Sequence, residues 1–159
     1  MIISDSTALI TLINIEEYDL LKFFTHKIVI PIEVYEEISI EEKDKRFLDA
    51  QIETRSLEVM TYENKLLFNE LNILLDKGES ASIALALEKN LPLLIDEKKG
   101  RSVAQNMGIE IIGLIGVLRF LYRNGEVTKK RTEEILEMLN NSSFRVSKKL
   151  VDMVLKQSL

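Results

Sequence analysis

Short apolar runs of strand length alternate along the chain with longer segments whose apolar residues recur at helical spacing. The short runs predict five β-strands, at residues 2–4, 27–30, 57–60, 93–95 and 110–112. Helical segments follow these strands, and Thr128 and Ser147 are suited to cap two final helices. This alternation predicts an α/β fold, a three-layer α/β/α sandwich with a central, mainly parallel sheet. Because the chain has 159 residues, we expect residues 1–159 to form one domain.

Proline and glycine predict several helix boundaries. Pro31 suits the first turn of the helix that follows the second strand. A further helix is predicted over 66–75, and the small residues of 81–87 predict a helix that packs closely on the sheet. Gly108 is placed to end the helix that follows the fourth strand.

Four acidic residues stand where predicted strands end or where predicted helices lie beside them. Asp5 follows the first strand, Glu37 closes the segment PIEVYEE, Glu79 opens GESASIALALE, and Asp96 follows PLLI. In an open α/β sheet the carboxyl ends of the strands border one crevice, so we expect these carboxylates to lie near one another. Gathered carboxylates repel each other unless a cation binds between them, and Mg²⁺ or Mn²⁺ prefers oxygen ligands. The pattern predicts a divalent metal site.

Each acid also has a purely structural interpretation. An Asp before a helix is a common N-cap worth about 1 kcal/mol, and an acid in a first turn, such as Glu79, complements the helix dipole by about 0.3–1 kcal/mol. Asp96 could be another cap, and Glu36 and Glu37 could both be solvated. Adjacent helix residues face about 100° apart, so at most one of that pair can point into the crevice. Spacing alone leaves both interpretations open.

Composition narrows the chemistry. The chain has no Cys and one His, which excludes disulfides, thiolate catalysis and Cys-type zinc sites. Its 21 basic and 26 acidic residues give a formal net charge of −5, so contact with nucleic acid would have to be local and metal-bridged. No apolar run is long enough to cross a membrane, and the N-terminus lacks the basic segment of a signal peptide, so neither a membrane span nor a signal peptide is expected. The absence of Cys is compatible with a cytoplasmic protein.

Other motifs carry less information. His26 lies in a predicted loop, where a surface or packing role is favoured over catalysis. Neither G-x-S-x-G nor G-x-x-x-x-G-K-[ST] occurs, so no nucleophile elbow or Walker A loop is predicted. Lys98, Lys99 and Arg101 follow Asp96 closely. They are either a solvated first turn of a helix or contacts to a phosphate backbone.

The acid-bearing segments together resemble the PIN domain family, and within it the PIN-like proteins related to VapC-type toxins. These segments are IISDSTALI, VIPIEVYEEI, GESASIALAL and LLIDEKKGRSVAQNMGIEIIGLIGVL. The resemblance implies a PIN-like α/β/α sandwich and a ribonuclease that depends on Mg²⁺ or Mn²⁺. Many members of the family are the toxin of a toxin–antitoxin pair, so the implied partners are RNA, an antitoxin protein and a second copy of the chain.

The resemblance also implies roles for individual residues. Asp5, Glu79 and Asp96 match the acids that hold the metal. Glu37 matches the acid of the V-x-x-E pattern after the proline, and it would complete the acidic pocket. Ser6 matches the small hydroxyl residue after the first Asp, which can hold a water beside the metal. The departures from the family pattern remove no carboxylate.

Three other functions stay open at the level of sequence. The chain could be an inactive PIN-like module that binds RNA or protein, a metal-dependent phosphohydrolase of small molecules, or a structural domain whose acids are only caps. Apolar residues of the last two helices are explained mainly by core packing, and the remainder could form a dimer or antitoxin surface. They are Ile135, Leu136, Leu139, Leu150, Val151, Val154 and Leu155.

Overall fold

The computed structural model describes residues 1–142 and 144–156. Its strands are β1 (Ile2–Ser4), β2 (Ile28–Pro31), β3 (Leu57–Met60), β4 (Leu93–Leu94) and β5 (Ile111–Ile112). They form one sheet in the order β3-β2-β1-β4-β5, and each neighbouring pair is parallel. All five predicted strands are therefore present, within a residue at either end. Residues 143 and 157–159 of the predicted domain lie outside the described residues.

The helices lie between the strands and after the last of them. They are α1 (Ser6–Asn14), α2 (Leu20–Phe24), α3 (Ile32–Ile38), α4 (Glu42–Glu53), α5 (Lys65–Leu71), α6 (Lys77–Lys89), α7 (Lys98–Asn106), α8 (Leu114–Arg123), α9 (Lys129–Asn140) and α10 (Lys148–Leu155). Thr128 and Ser147 cap α9 and α10 as predicted. Within the described ranges, no helix is long and apolar enough to cross a membrane.

Successive strand residues alternate between two apolar cores, one on each face of the sheet. Ile2, Ile28 and Leu94 pack into the first core with buried residues of α1, α3, α8 and α9. Ile3, Val29 and Leu93 pack into the second core with buried residues of α5, α6 and α7. The central strands β1, β2 and β4 are buried on both faces, as parallel strands are in α/β proteins, and the edge strands β3 and β5 are partly buried. The predicted three-layer α/β/α sandwich is confirmed.

Two predicted helix boundaries are wrong by a few residues. Pro31 ends β2 and occupies the N-cap position of α3, one residue before the helix in whose first turn it was expected. The helix predicted over 66–75 ends at Leu71, where the Leu74 N–H donates to the Leu71 carbonyl in a turn. This turn is needed because α5 and α6 pack against each other, so the chain must change direction before α6.

The strand order places the crevice between β1 and β4. From β1 the chain crosses to β2 on one side, whereas from β4 it crosses to β5 on the other side. Ligands of open α/β sheets bind at the carboxyl ends of the strands where the order diverges in this way. Asp5 follows β1 and Asp96 follows shortly after β4, so both acids lie at this point.

Candidate active site

Asp5 is the most buried acid of the crevice, with 1% of its surface exposed. Its Oδ1 accepts a hydrogen bond of 3.1 Å from the Ala8 backbone N–H, and it thereby caps α1. Its Oδ2 is buried and has no hydrogen-bond partner among the described residues. Burial is the main cause that raises the pKa of Asp5 to about 7, against the lowering effect of the Ala8 N–H. The charges of Asp96, Asp76 and Glu37 raise it further, so these three acids lie near enough to Asp5 to act on its charge.

Glu79 lies in the first turn of α6, where it forms a capping box with Asp76. The Glu79 N–H donates to Asp76 Oδ1 at 2.8 Å, and the Asp76 N–H donates to Glu79 Oε1 at 3.4 Å. Glu79 Oε2 is buried and lacks a hydrogen-bond partner in the described part of the chain. Burial raises the pKa of Glu79 to about 8, and the neighbouring carboxyl groups of Glu97 and Asp76 also raise it.

Gly100 allows the first turn of α7 to pack directly on Glu79. A Cβ atom at Gly100 would lie 2.7 Å from Ile95 Cδ1 and 2.9 Å from Glu79 Oε2, distances that require something to move. The Gly100 N–H donates to Glu97 Oε2 at 2.7 Å, which is the main cause of the lowered pKa of Glu97. Glu97 is therefore the cap of α7, and the interpretation of Asp96 as the cap of this helix is wrong.

Asp96 is held instead by the start of α8. Both of its carboxylate oxygens accept from the Leu114 N–H, each at 3.2 Å. A Cβ atom at Gly113 would lie 2.5 Å from Asp96 Oδ1, so glycine leaves the room that this carboxylate occupies. Burial raises the pKa of Asp96, while the Leu114 N–H and the charge of Arg101 lower it, with a net increase.

Ser6 and Glu37 lie beside this group of acids. Ser6 is buried at the first position of α1, and its Oγ would lie 3.4 Å from a Cβ atom placed on Gly78. Asp76 Oδ1 would lie 3.6 Å from the same atom, so the first turns of α1 and α6 meet at Gly78. Glu37 is exposed in the last turn of α3, and its pKa is raised by partial burial and by the charge of Asp76.

The three basic candidates occupy the first turn of α7. Lys98 and Lys99 are exposed. Arg101 is half-buried, and its Nη1 donates to the Ile95 carbonyl at 2.8 Å. Arg101 and Asp96 also line a cleft of about 380 Å³. The arrangement leaves two cations directed to solvent and one guanidinium beside the acidic crevice.

Asp76 is the residue that sequence reasoning missed. The charge of Asp76 raises the pKa values of Asp5 and Glu37, and Asp76 contacts Glu79 through the capping box. The pattern Asp-x-x-Glu over residues 76–79, before a small-residue helix, is a capping-box signature that was present in the sequence. From the sequence alone this signature predicts a helix start, but it does not show that the capping residue also lies in the crevice.

The donor set is suited to a hard divalent cation. The buried oxygens without partners, Asp5 Oδ2 and Glu79 Oε2, are both carboxylate oxygens, which Mg²⁺ and Mn²⁺ prefer. Burying such oxygens is unfavourable unless a cation or donor meets them. Within residues 1–142 and 144–156, no three acidic or imidazole groups already converge as a ready-made metal site. The acids instead form two neighbouring groups, one around Asp5 and one around Glu79, and Asp76 belongs to both.

The sandwich and its acidic crevice define an α/β protein with a candidate metal-dependent centre. A family model described as PIN domain matches residues 1–158. Because this match spans nearly the whole sequence, the chain belongs to the PIN domain family. PIN domains are generally metal-dependent nucleases, so the chain has a nuclease-type fold. No curated protein matches the chain significantly.

Proposed function

We propose that this protein is an endoribonuclease that depends on Mg²⁺ or Mn²⁺, built as a single domain over residues 1–159. The observation that carries the proposal is Asp5 Oδ2, a buried carboxylate oxygen without a partner among the described residues. It lies at the point of the sheet where α/β proteins bind ligands. Membership of a family of generally metal-dependent nucleases supports the same chemistry.

Asp5, Glu79 and Asp96 are the proposed metal ligands, directly or through water. When bound, a divalent cation would supply positive charge to the scissile phosphate and make a nearby water more acidic. Glu37, which faces Asp5 from α3, completes the pocket and helps to orient the attacking water. Ser6 holds a water between the first turns of α1 and α6.

Lys98, Lys99 and Arg101 are the proposed phosphate contacts. They lie in the first turn of α7, immediately after the strand end that carries Asp96. Arg101 and Asp96 share one cleft, so a phosphate held by the guanidinium would lie next to Asp96. This local positive charge allows an anionic substrate to approach a protein whose net charge is −5.

Incubation of structured RNAs with the protein tests this function. We expect cleavage in the presence of Mn²⁺ and none in excess EDTA, because the acids alone repel the phosphate backbone. Products are separated on denaturing gels, and restoring Mn²⁺ to the EDTA-treated sample should restore cleavage. Cleavage that continues undiminished in EDTA would reject the metal-dependent mechanism.

A catalytically inactive module that binds nucleic acid is the second candidate. It is favoured by the division of the acids into two groups, since no three of them converge among the described residues. This module would retain RNA equally in Mn²⁺ and in EDTA and would cleave none of it. The same RNA incubation, followed by a gel-shift measurement, therefore separates the two candidates.

The proposal includes two protein partners, a second copy of the chain and, if the chain is a toxin, an antitoxin. The C-terminal apolar residues leave little surface for either, because Ile135, Leu136, Leu139 and Val154 are buried in the protein's own core. Exposed apolar side chains occur instead at Leu66, Ile73 and Leu74, in and just after α5. Light scattering tests the dimer, which would have twice the chain mass of 18.3 kDa. A monomeric mass contradicts the dimer, and recovery of no small protein with the chain from its native host counts against the antitoxin.

A further inference from the structure

Glu79 divides its two carboxylate oxygens between the fold and the crevice. Oε1 accepts the hydrogen bond from the Asp76 N–H, whereas Oε2 is buried with no partner among the described residues. Only 9% of the Glu79 surface is exposed, so the side chain has little freedom to reorient. The orientation of Oε2 therefore depends on what holds Oε1 and the backbone of the first turn of α6, and on the Glu97 carboxyl group that lies near it.

Asp76 holds both Oε1 and the backbone of this turn. Its side chain accepts from the Glu79 N–H at 2.8 Å, and its own N–H donates to Glu79 Oε1 at 3.4 Å. Two reciprocal hydrogen bonds thus join the cap to the glutamate. A Cβ atom placed on Gly78 would lie 3.6 Å from the same Asp76 oxygen and 3.4 Å from Ser6 Oγ. Asp76 therefore fixes the start of α6, which lies beside the first turn of α1 at Gly78.

We propose that Asp76 is a positioning residue for the metal centre, which acts through its cap on α6 to orient Glu79 toward the cation. This inference rests on the proposed function, since it assumes that Glu79 is a metal ligand. Groups that orient a ligand from behind are a general feature of metal sites, and changing them typically weakens metal affinity about 10- to 100-fold. The proposal assigns the effect to the cap oxygen of Asp76 and not to its negative charge.

Mn²⁺ affinity tests the proposal without any measurement of activity. Mn²⁺ is titrated into each folded protein at a temperature well below its Tm, and free Mn²⁺ is followed by electron paramagnetic resonance. Asp76→Ala, which removes the cap oxygen, is expected to weaken Mn²⁺ affinity about tenfold. Asp76→Ser removes the charge but keeps an oxygen that caps helices well. It is expected to keep the affinity within about twofold of the wild-type value, on the proposal that the cap carries the effect.

Asn64→Ala is the matched control for the loss of a helix cap. Asn64 Oδ1 caps α5 by accepting from the Leu67 N–H at 3.1 Å, and α5 packs on α6. This variant is expected to lower Tm about as much as Asp76→Ala and to leave Mn²⁺ affinity unchanged. A purely structural role of Asp76 would make the two variants alike in both measurements.

The outcomes separate this inference from the function on which it rests. If the wild-type protein binds Mn²⁺ and Asp76→Ala binds it equally well, the positioning role is rejected and the proposed metal centre stands. If Asp76→Ser is as weak as Asp76→Ala, charge and not the cap is responsible, and the inference is again rejected. If the wild-type protein binds no Mn²⁺, the metal centre itself is rejected, and the positioning role with it.

Discussion

Replacing Asp5 with Asn is expected to lower the rate of Mn²⁺-dependent RNA cleavage at least about a hundredfold. Asn keeps an oxygen that can accept the Ala8 N–H, so the cap on α1 is retained. The substitution removes the negative charge at Oδ2, the buried oxygen that has no other partner among the described residues. Bound metal contributes several kcal/mol to hydrolysis of this kind, and each 1.36 kcal/mol corresponds to a factor of about ten in rate. The initial rate of cleavage of a labelled RNA measures the loss.

Asp19→Asn is the control for this substitution. Asp19 is an exposed acid before α2 that pairs with Lys22 at 3.2 Å, and its side chain does not cap the helix. Its removal changes the net charge as Asp5→Asn does, yet the cleavage rate is expected to stay the same. If the chain is a toxin, expressing the wild-type protein should also slow cell growth, and expressing Asp5→Asn should not. Cleavage by Asp5→Asn at more than half of the wild-type rate would show that the Asp5 charge is not needed.

The sheet could be predicted from the sequence because parallel strands buried on both faces leave a strong local signal. Uninterrupted apolar runs such as 28–30 are short, rich in β-branched residues and bounded by polar or proline positions. The order of the strands was not predicted, because the general rules on crossovers limit the possible orders without fixing one. Helix ends were predicted less well, as at Leu71, because the position of that turn depends on how α5 packs on α6.

The partners of the acids were harder to predict because most of them are distant in sequence. Asp96 accepts from Leu114, eighteen positions further along, and this contact exists only because β4 and β5 are neighbours in the sheet. The approach of Ser6 and Asp76 to Gly78 likewise requires α1 and α6 to start at the same edge. Local patterns carry no information about such contacts, so Asp76 could be recognised as a cap but not as a member of the crevice.

The structure also changes the choice between caps and site residues that the sequence left open. Asp5 uses one oxygen to cap α1 and leaves the other buried without a partner among the described residues, and Glu79 does the same at the start of α6. The two interpretations are therefore compatible for both acids. A helix cap fixes the carboxylate in one orientation, which prepares its second oxygen for a ligand without the entropy cost of ordering a mobile side chain.

The metal-free protein is expected to lose stability as the pH rises from about 5 to about 8. An acid whose pKa is higher in the folded state than in the unfolded state binds more protons when folded. Its contribution is complete below the unfolded pKa, 3.8 for Asp5, and is lost as the pH rises through the folded pKa of about 7. For Asp5 the whole loss is on the order of 4 kcal/mol, of which about 2 kcal/mol falls between about pH 5.5 and about pH 8. Glu79, whose folded pKa is about 8, acts in the same direction.

Thermal unfolding in EDTA at about pH 5.5 and about pH 8 measures this loss, since 1 kcal/mol shifts Tm by about 2–4 °C for a chain of this size. Asp5→Asn should flatten the pH dependence, and Asp19→Asn should leave it unchanged. A Tm in EDTA that is constant or rises over this interval would contradict the expected ionisation of Asp5.

Added Mg²⁺ should offset the loss of stability that the metal-free protein shows as the pH rises. A cation binds the ionised carboxylates and competes with their protons, so it should raise Tm more at about pH 8 than at about pH 5.5. Asp5→Asn should unfold at a higher temperature than the wild-type protein at the higher pH in EDTA, because it carries no buried charge, and should gain little from Mg²⁺. Stability gained in the same substitution that removes activity is the result expected of a carboxylate retained for a ligand, because Asn caps a helix as well as Asp does and a cap alone gives no reason to keep the buried charge.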